Sequence, residues 1–343
     1  MGEPRILSLG RAIPANRYAQ SALHAKNPWQ DSPLIDRLFL DSPVQTRALF
    51  VSPEWYDTPR TLTDTNHAWL EGAMLLGGQA LTDALGGARC EPSSLDMLGV
   101  TTVTGYATPG LDLLLAREHG LRPNLARAHF NCIGCHAAIP LLRVAADHVR
   151  ARPTEIAAAV AVEICSACFS RDPSPQNLVA LALFADGAAA AVIGTGSEGP
   201  ILVDFTSSYD FDHIDALGFG LTTSGFRITL DPSIPNIIAE NIGGTVDRLL
   251  AQNGIRRSDV STWCFHPGGS RILDAVQSNL HLDDRHMRPS RRVLANYGNM
   301  SSPSVLFALA EALEERPPPP DSFGILAAFG PGLGIEAALM RFE

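Results

Sequence analysis

Short, nearly unbroken apolar runs alternate with stretches whose apolar residues recur at helical spacing. The strand candidates are MLGVTTVTG (97–105), IAAAVAVEI (156–164), AAAAVIG (188–194), VSTWCFHPG (260–268) and FGILAAFGPG (323–332). Between and around them, PGLDLLLAREHG (109–120) and SVLFALAEALEE (304–315) read as helices. Strands this apolar are buried on both faces, and helices supply the cover, so the pattern predicts a layered α/β fold. GSEGP (196–200) marks a boundary between an N-terminal half, 1–198, and a C-terminal half, 199–343. RPPPP (316–320) reads as a stiff surface loop before a final strand. The two halves show no clear internal match, and neither short repeats nor low-complexity tracts interrupt them.

Composition narrows the classes. With 343 residues, 45% of them hydrophobic, the chain can build a large core, in one domain or two fused halves. No apolar run approaches the roughly 20 residues of a membrane span. The N-terminal MGEPRILSLGRAIPANRYAQ has no apolar signal core, and Ile6 stands where a myristoylation site needs Ser or Thr. A net charge of -10 argues against nucleic acid, which needs a basic face. Six cysteines without an export signal read as reduced thiols of a cytoplasmic protein.

Four of those cysteines form two C-x-x-C pairs, Cys132/Cys135 and Cys165/Cys168. A zinc site would need both pairs to converge. The segment 136–164 between them is longer than the roughly 15 to 20 residues usual between knuckles, and it reads as a full helix and a strand. A thioredoxin-like pair belongs near the N-terminus of a small domain, not deep in a large chain. Small buried hydrophobes account for Cys90, Cys132, Cys165, Cys168 and Cys264.

Cys135 differs. It follows Gly134 and precedes HAAIPLLRVAADHVRA, whose apolar spacing predicts a helix with Pro140 in its first turn. A thiol at a helix N-terminus is expected to have a lowered pKa, and a glycine before it permits a sharp strand-to-helix turn. Such a nucleophile needs a base or imidazolium partner and an oxyanion donor. His266, at a strand end before Pro267, Gly268 and Gly269, and Asn299, between Gly298 and Met300 in a turn ahead of a helix near Pro303, are candidates. Each also has a plain reading, as a structural histidine and as a turn or cap former.

With these residues in place the chain resembles a type III polyketide synthase, the chalcone synthase-like branch of the thiolase-fold condensing enzymes. GCHAAIPLLRVAAD resembles the nucleophile motif G-C-x-A-G, and VALALFADGAAAAVIG the A-L-F-G-D-G-A-A-A strand. FHPGGSRILDAV, NYGNMSSPSVLFAL and AAFGPGLGIE resemble the three C-terminal signatures, and TTVTGYATPGLDLLLAREHGLRP and GFRITLDPSIPNIIAENI match further segments. Ketoacyl synthase III has H-Q-A-N and G-N-T-S where this chain has H-P-G-G and G-N-M-S.

The resemblance implies a layered αβαβα thiolase-like fold of two similar halves, a homodimer, and no metal or cofactor. It implies that Cys135 takes an acyl group from an acyl-CoA starter, while His266 and Asn299 hold the malonyl-CoA thioester during decarboxylation. Claisen condensation and cyclisation to a pyrone or resorcinol-type product follow. Phe184 matches one of two gating phenylalanines, and Ile228 stands at the other gate. Cys165 and Cys168 match pocket threonines of plant members, Val103 and Thr104 a polar pair, and Ser301 a serine beside the centre. Thr108 stands where plant members have Met. Cys132 is expected as a wall or core thiol. Arg271 and Arg37 are the basic candidates for CoA phosphates, although Asp36 occupies a position where the family often has lysine. Two other readings remain: a synthase III-like enzyme fed by a carrier protein, which the local pairs Arg256-Arg257 and Arg291-Arg292 would serve, and a simple acyltransferase.

Overall fold

The computed structural model describes residues 2–170, 172–222 and 225–343. All five strand candidates and both helix candidates form, the helices as Leu111–Glu118 and Ser304–Glu315. The family's opening strand, which SLGRAIPANRYAQ resembles, forms at Arg5–Ala12, whereas the apolar pattern does not mark the Ala126–Asn131, Ile201–Tyr209 and Gly334–Phe342 strands or the 26-residue helix Leu62–Gly87. That helix is rich in Gly and Ala, so its apolar stripe is weak. It starts at a capping box, Thr61 with Asp64, and lays Trp69, Ala73, Leu76, Ala80 and Ala84 along one buried face.

Nine strands form one mixed sheet in the order Val260–Phe265, Ser322–Gly330, Gly334–Phe342, Ile201–Tyr209, Arg5–Ala12, Asp186–Gly194, Ala157–Ile164, Met97–Thr102, Ala126–Asn131. Arg5–Ala12 joins two groups, pairing along its length with Asp186–Gly194 but with Ile201–Tyr209 only at Arg5 opposite Ile201. With Arg5–Ala12 counted in the N-terminal group, that group pairs antiparallel, antiparallel, parallel and parallel, and the C-terminal group from Ile201–Tyr209 antiparallel, antiparallel and parallel, one strand fewer. The repeat lies in strand pairing and not in residue identity, so the sequence comparison of the halves could not reveal it.

The helices Ala138–Ala151 and Ser304–Glu315 touch strands of both groups and share one apolar cluster with them. They form the central layer. Leu62–Gly87 and Leu111–Glu118 cover the outer face of the N-terminal group, and Ile234–Gln252 and Ser270–Leu280 that of the C-terminal group. The result is five layers, helix, sheet, helix, sheet, helix. No helix among the described residues is long and apolar enough to cross a membrane.

Candidate active site

Cys135 lies in the turn between the Ala126–Asn131 strand and the Ala138–Ala151 helix. Gly134 has φ +100, and a Cβ there would fall 2.4 Å from Cδ of Pro331. Only glycine lets this turn press against the loop after Ser322–Gly330. The thiol is 6% exposed and packs against Cys165, Phe184 and Ile228. The expected lowering of its pKa by the helix does not occur: burial pushes it up to about 12, against the pull of a hydrogen bond from Ser301. Cys135 stands ahead of the first helical residue, and loss of solvent outweighs the dipole there.

Asn299 and Ser301 share a loop. The Ser301 backbone N–H donates to Asn299 Oδ1 at 2.8 Å, and its hydroxyl donates to Cys135 Sγ at 3.3 Å. With Oδ1 engaged, the Nδ2 amide of Asn299 is the group left to donate. Ser301 adopts φ 60, the left-handed region.

His266 continues the strand ladder by donating its N–H to Ala327 at 2.8 Å. It is buried, and its Nδ1 has no partner. Burial, with His136 adding to it, pushes its pKa down to about 3, so the ring is neutral at pH 7. His136 directly follows Cys135 and is itself held to about 4 by burial. Thus Ser301 joins Cys135 to Asn299 directly, and His266 lies near enough to His136, the residue after Cys135, for the two rings to interact electrostatically.

A small chamber of about 30 Å³ adjoins Cys135, lined by Thr104, Cys165, Cys168, Phe169, Asn177, Ala180, Phe184, Phe219 and Ile228. Five of the expected pocket residues therefore line it: Thr104, Cys165, Cys168, Phe184 and Ile228. Val103 does not, and engages the site through its backbone. Cys132 is corrected. It is exposed, with φ 62, and its thiol donates to Asn131 Oδ1 at 2.7 Å, so it is neither wall nor core. A turn that leaves the strand in left-handed conformation throws this side chain outward. Arg271 and Arg37 are exposed and make no hydrogen bond or ion pair among the described residues. No three His, Cys, Asp or Glu side chains converge on a metal position among the described residues.

The sequence reading missed Glu163. It is fully buried and accepts from Val103 N at 2.9 Å, Thr104 N at 3.2 Å, Thr104 Oγ1 at 2.8 Å and Ser302 Oγ at 2.8 Å. Burial raises it to about 7 although these donors pull it down. Its signal was present: one carboxylate inside the otherwise apolar strand AAAVAVEI.

Comparison with known proteins identifies the family. Residues 53–197 match the N-terminal domain of chalcone and stilbene synthases, and residues 212–342 match the C-terminal domain. The chain is 35% identical to a 1,3,6,8-tetrahydroxynaphthalene synthase of Streptomyces peucetius, covering 98% of this chain and 93% of that protein. It is 34% identical to a 3,5-dihydroxyphenylacetyl-CoA synthase of Streptomyces toyocaensis, covering 99% and 90%. The crystal structure of PKS-I from the brown alga Ectocarpus siliculosus superposes with a TM-score of 0.94 at 28% identity, over 100% of this chain and 99% of that one. The chain belongs to the chalcone and stilbene synthase family and is a type III polyketide synthase, an acyl-CoA-condensing acyltransferase of thiolase-like fold.

Proposed function

We propose that the chain loads an acyl-CoA starter on Cys135 and extends it with malonyl-CoA. The observation that carries this reading is the Ser301 bridge, which ties the buried Cys135 thiol to the Asn299 side chain behind the chamber wall of Cys165, Phe184 and Ile228. Cys135 attacks the starter thioester, and its proton passes by way of His266 to the departing CoA thiolate, which leaves as CoA-SH and leaves His266 neutral. Malonyl-CoA then loses its carboxylate as CO2, and the electron pair of the broken bond forms an enolate. Asn299 Nδ2–H and a neutral His266 N–H donate to the enolate oxygen. The enolate carbon attacks the acyl carbonyl, the Cys135 thiolate leaves, and a β-ketoacyl-CoA results. Decarboxylation itself generates the carbanion, so the cycle needs CoA thioesters and no cofactor.

Room for the chain is the next requirement. About 30 Å³ is the share of one water molecule. A second cavity of about 230 Å³, walled by Leu23, Trp29, Phe39, Leu49 and Leu181, lies across Phe169, which borders both spaces. Movement of Phe169 would give an aliphatic starter or a growing chain access to this volume. Pyrone and resorcinol-type products both remain consistent with this cycle.

Arg271, at the start of the helix after the His266 turn, and Arg37 are proposed as CoA phosphate contacts, on the strength of their exposed, unpaired guanidinium groups among the described residues. A carrier-protein route has weaker support. Arg256, Arg257, Arg291 and Arg292 pair with Asp259, Asp247, Asp274 and Glu311, which blunts any basic docking face. We further propose a homodimer through the Ala126–Asn131 strand, which closes one edge of the sheet and leads into the Cys135 turn. The halves 1–198 and 199–343 are proposed as similar units on the basis of their repeated strand pairing, and a cytoplasmic location on six free cysteines. Product mass spectrometry with malonyl-CoA and a panel of short, long and aromatic acyl-CoA starters tests the main reading. Products heavier than the starter by whole ketide units support it; transfer of an unextended starter overturns it.

A further inference from the structure

The backbone of Asn299 is fastened to one irregular segment. Its N–H donates to Leu183 O at 2.9 Å, and its carbonyl accepts from Ala185 N at 2.9 Å, straddling Phe184. That segment lies where the helix Pro175–Leu183 has ended and the strand Asp186–Gly194 has not begun. Neither element holds the Phe184 carbonyl, so another group must.

Arg47, distant in sequence, does, and Gln20 braces it. Arg47 Nη1 donates to Phe184 O at 2.7 Å, Gln20 Nε2 donates to Ala182 O at 2.7 Å, and Arg47 Nε donates to Gln20 Oε1 at 2.9 Å. Arg47 is 1% exposed and Gln20 4%. The Arg47 stem also supports the other side of the bridge. Gly298 has φ +74, and a Cβ there would lie 2.9 Å from both Arg47 Cγ and Leu183 O. Asp186, two residues beyond Phe184, supplies the opposing charge and is held in turn by Ser166 N at 2.7 Å and Phe50 N at 2.6 Å. A buried guanidinium is costly to desolvate and is weak evidence of stabilisation. Here it links the Gln20, Phe184 and Gly298 segments.

We infer that Gln20 and Arg47 form a clamp that positions the Phe184 gate and the Asn299 amide, with Arg47 acting through the Leu183–Ala185 backbone. Arg47 also borders the larger cavity proposed for the acyl chain, so decarboxylation without starter isolates its positioning role. The inference rests on the reading of Asn299 as the donor to the enolate oxygen. Small displacements of such donors lower rates roughly 10- to 100-fold.

The test compares Arg47→Met, Arg47→Lys, Gln20→Leu and Asn299→Ala with the wild type in two assays. One is malonyl-CoA decarboxylation without starter, and the other is acylation of Cys135 by a starter, followed by intact-protein mass. The clamp predicts that Arg47→Met and Gln20→Leu lower the decarboxylation kcat about tenfold or more, with KM for malonyl-CoA and Cys135 acylation little changed. Arg47→Lys should recover part of the loss. Arg47→Met combined with Asn299→Ala should be no slower than Asn299→Ala alone, since a positioning residue has nothing left to position. Unchanged decarboxylation in the clamp variants overturns the inference, as does a parallel fall of decarboxylation and acylation. If Arg47→Met does not fold, Gln20→Leu, which leaves the guanidinium in place, decides alone. Asn299→Ala separates the two levels: full decarboxylation in that variant overturns the underlying reading, whereas its loss beside an intact Arg47→Met overturns the clamp only.

Discussion

The Ser301 hydroxyl donates to the Cys135 thiol at 3.3 Å, joining residues 166 positions apart. This contact lowers a thiol pKa that burial raises to about 12. Replacing Ser301 with Ala therefore pushes the thiol higher still and slows starter loading. A net hydrogen bond of about 0.5–1.5 kcal/mol corresponds to roughly 2- to 10-fold. Intact-protein mass against time measures it. Because Ser301 sits at φ 60, Ser301→Gly is the companion variant: equal slowing in both assigns the effect to the hydroxyl, not to strain.

Decarboxylation and loading separate at the level of side chains. His266→Ala and Asn299→Ala should each lower malonyl-CoA decarboxylation about 100- to 1,000-fold, the usual loss for one oxyanion donor. Cys135→Ala should abolish acyl loading while decarboxylation persists. Acetyl-CoA formation read beside protein mass distinguishes the three variants, and retained decarboxylation in both His266→Ala and Asn299→Ala would remove them from the mechanism.

Glu163 makes stability fall with rising pH. Its ordinary value is 4.5 and burial holds it near 7, so the folded protein keeps a proton that the unfolded chain has released. Its contribution is complete below about pH 4.5 and is lost as pH climbs through 7. His266 and His136 act in the opposite sense, since burial lowers them from 6.5 to about 3 and 4, and their contribution is lost on acidification below 6.5. Glu163→Gln removes the first component alone. The melting temperature of the variant, relative to wild type, should rise between pH 5 and 8; a flat difference would show that Glu163 does not titrate in this range.

Phe169 borders both the chamber and the larger cavity. Phe169→Ala should admit longer starters or add ketide units, and Leu181→Trp, which fills the far side, should reverse the gain. Product masses with a graded series of acyl-CoAs report both. Unchanged products in Phe169→Ala would place the chain elsewhere.

Much of the site was legible before any coordinates. Gly134-Cys135, the His266 turn and the Gly298-Asn299 turn are local signals, because backbone shape and neighbouring glycines are set within a few residues. The apolar strands were legible for the same reason: burial on both faces leaves an unbroken run. The edge strand Ala126–Asn131, half exposed and polar, lacked that mark, and the Leu62–Gly87 helix hid its stripe among small residues.

Other properties depend on what surrounds each group after folding. The same thiol that a helix terminus would acidify is instead raised by burial, and Cys132, three residues earlier, turns outward through its left-handed backbone. Glu163 meets its five donors, Thr102 Oγ1 among them, and Arg47 meets Phe184 and Gln20, across long stretches of chain. Local pattern carries which residues can do chemistry. Desolvation and long-range hydrogen bonding, which exist only in the packed molecule, set their charge, their orientation and the space in which they act.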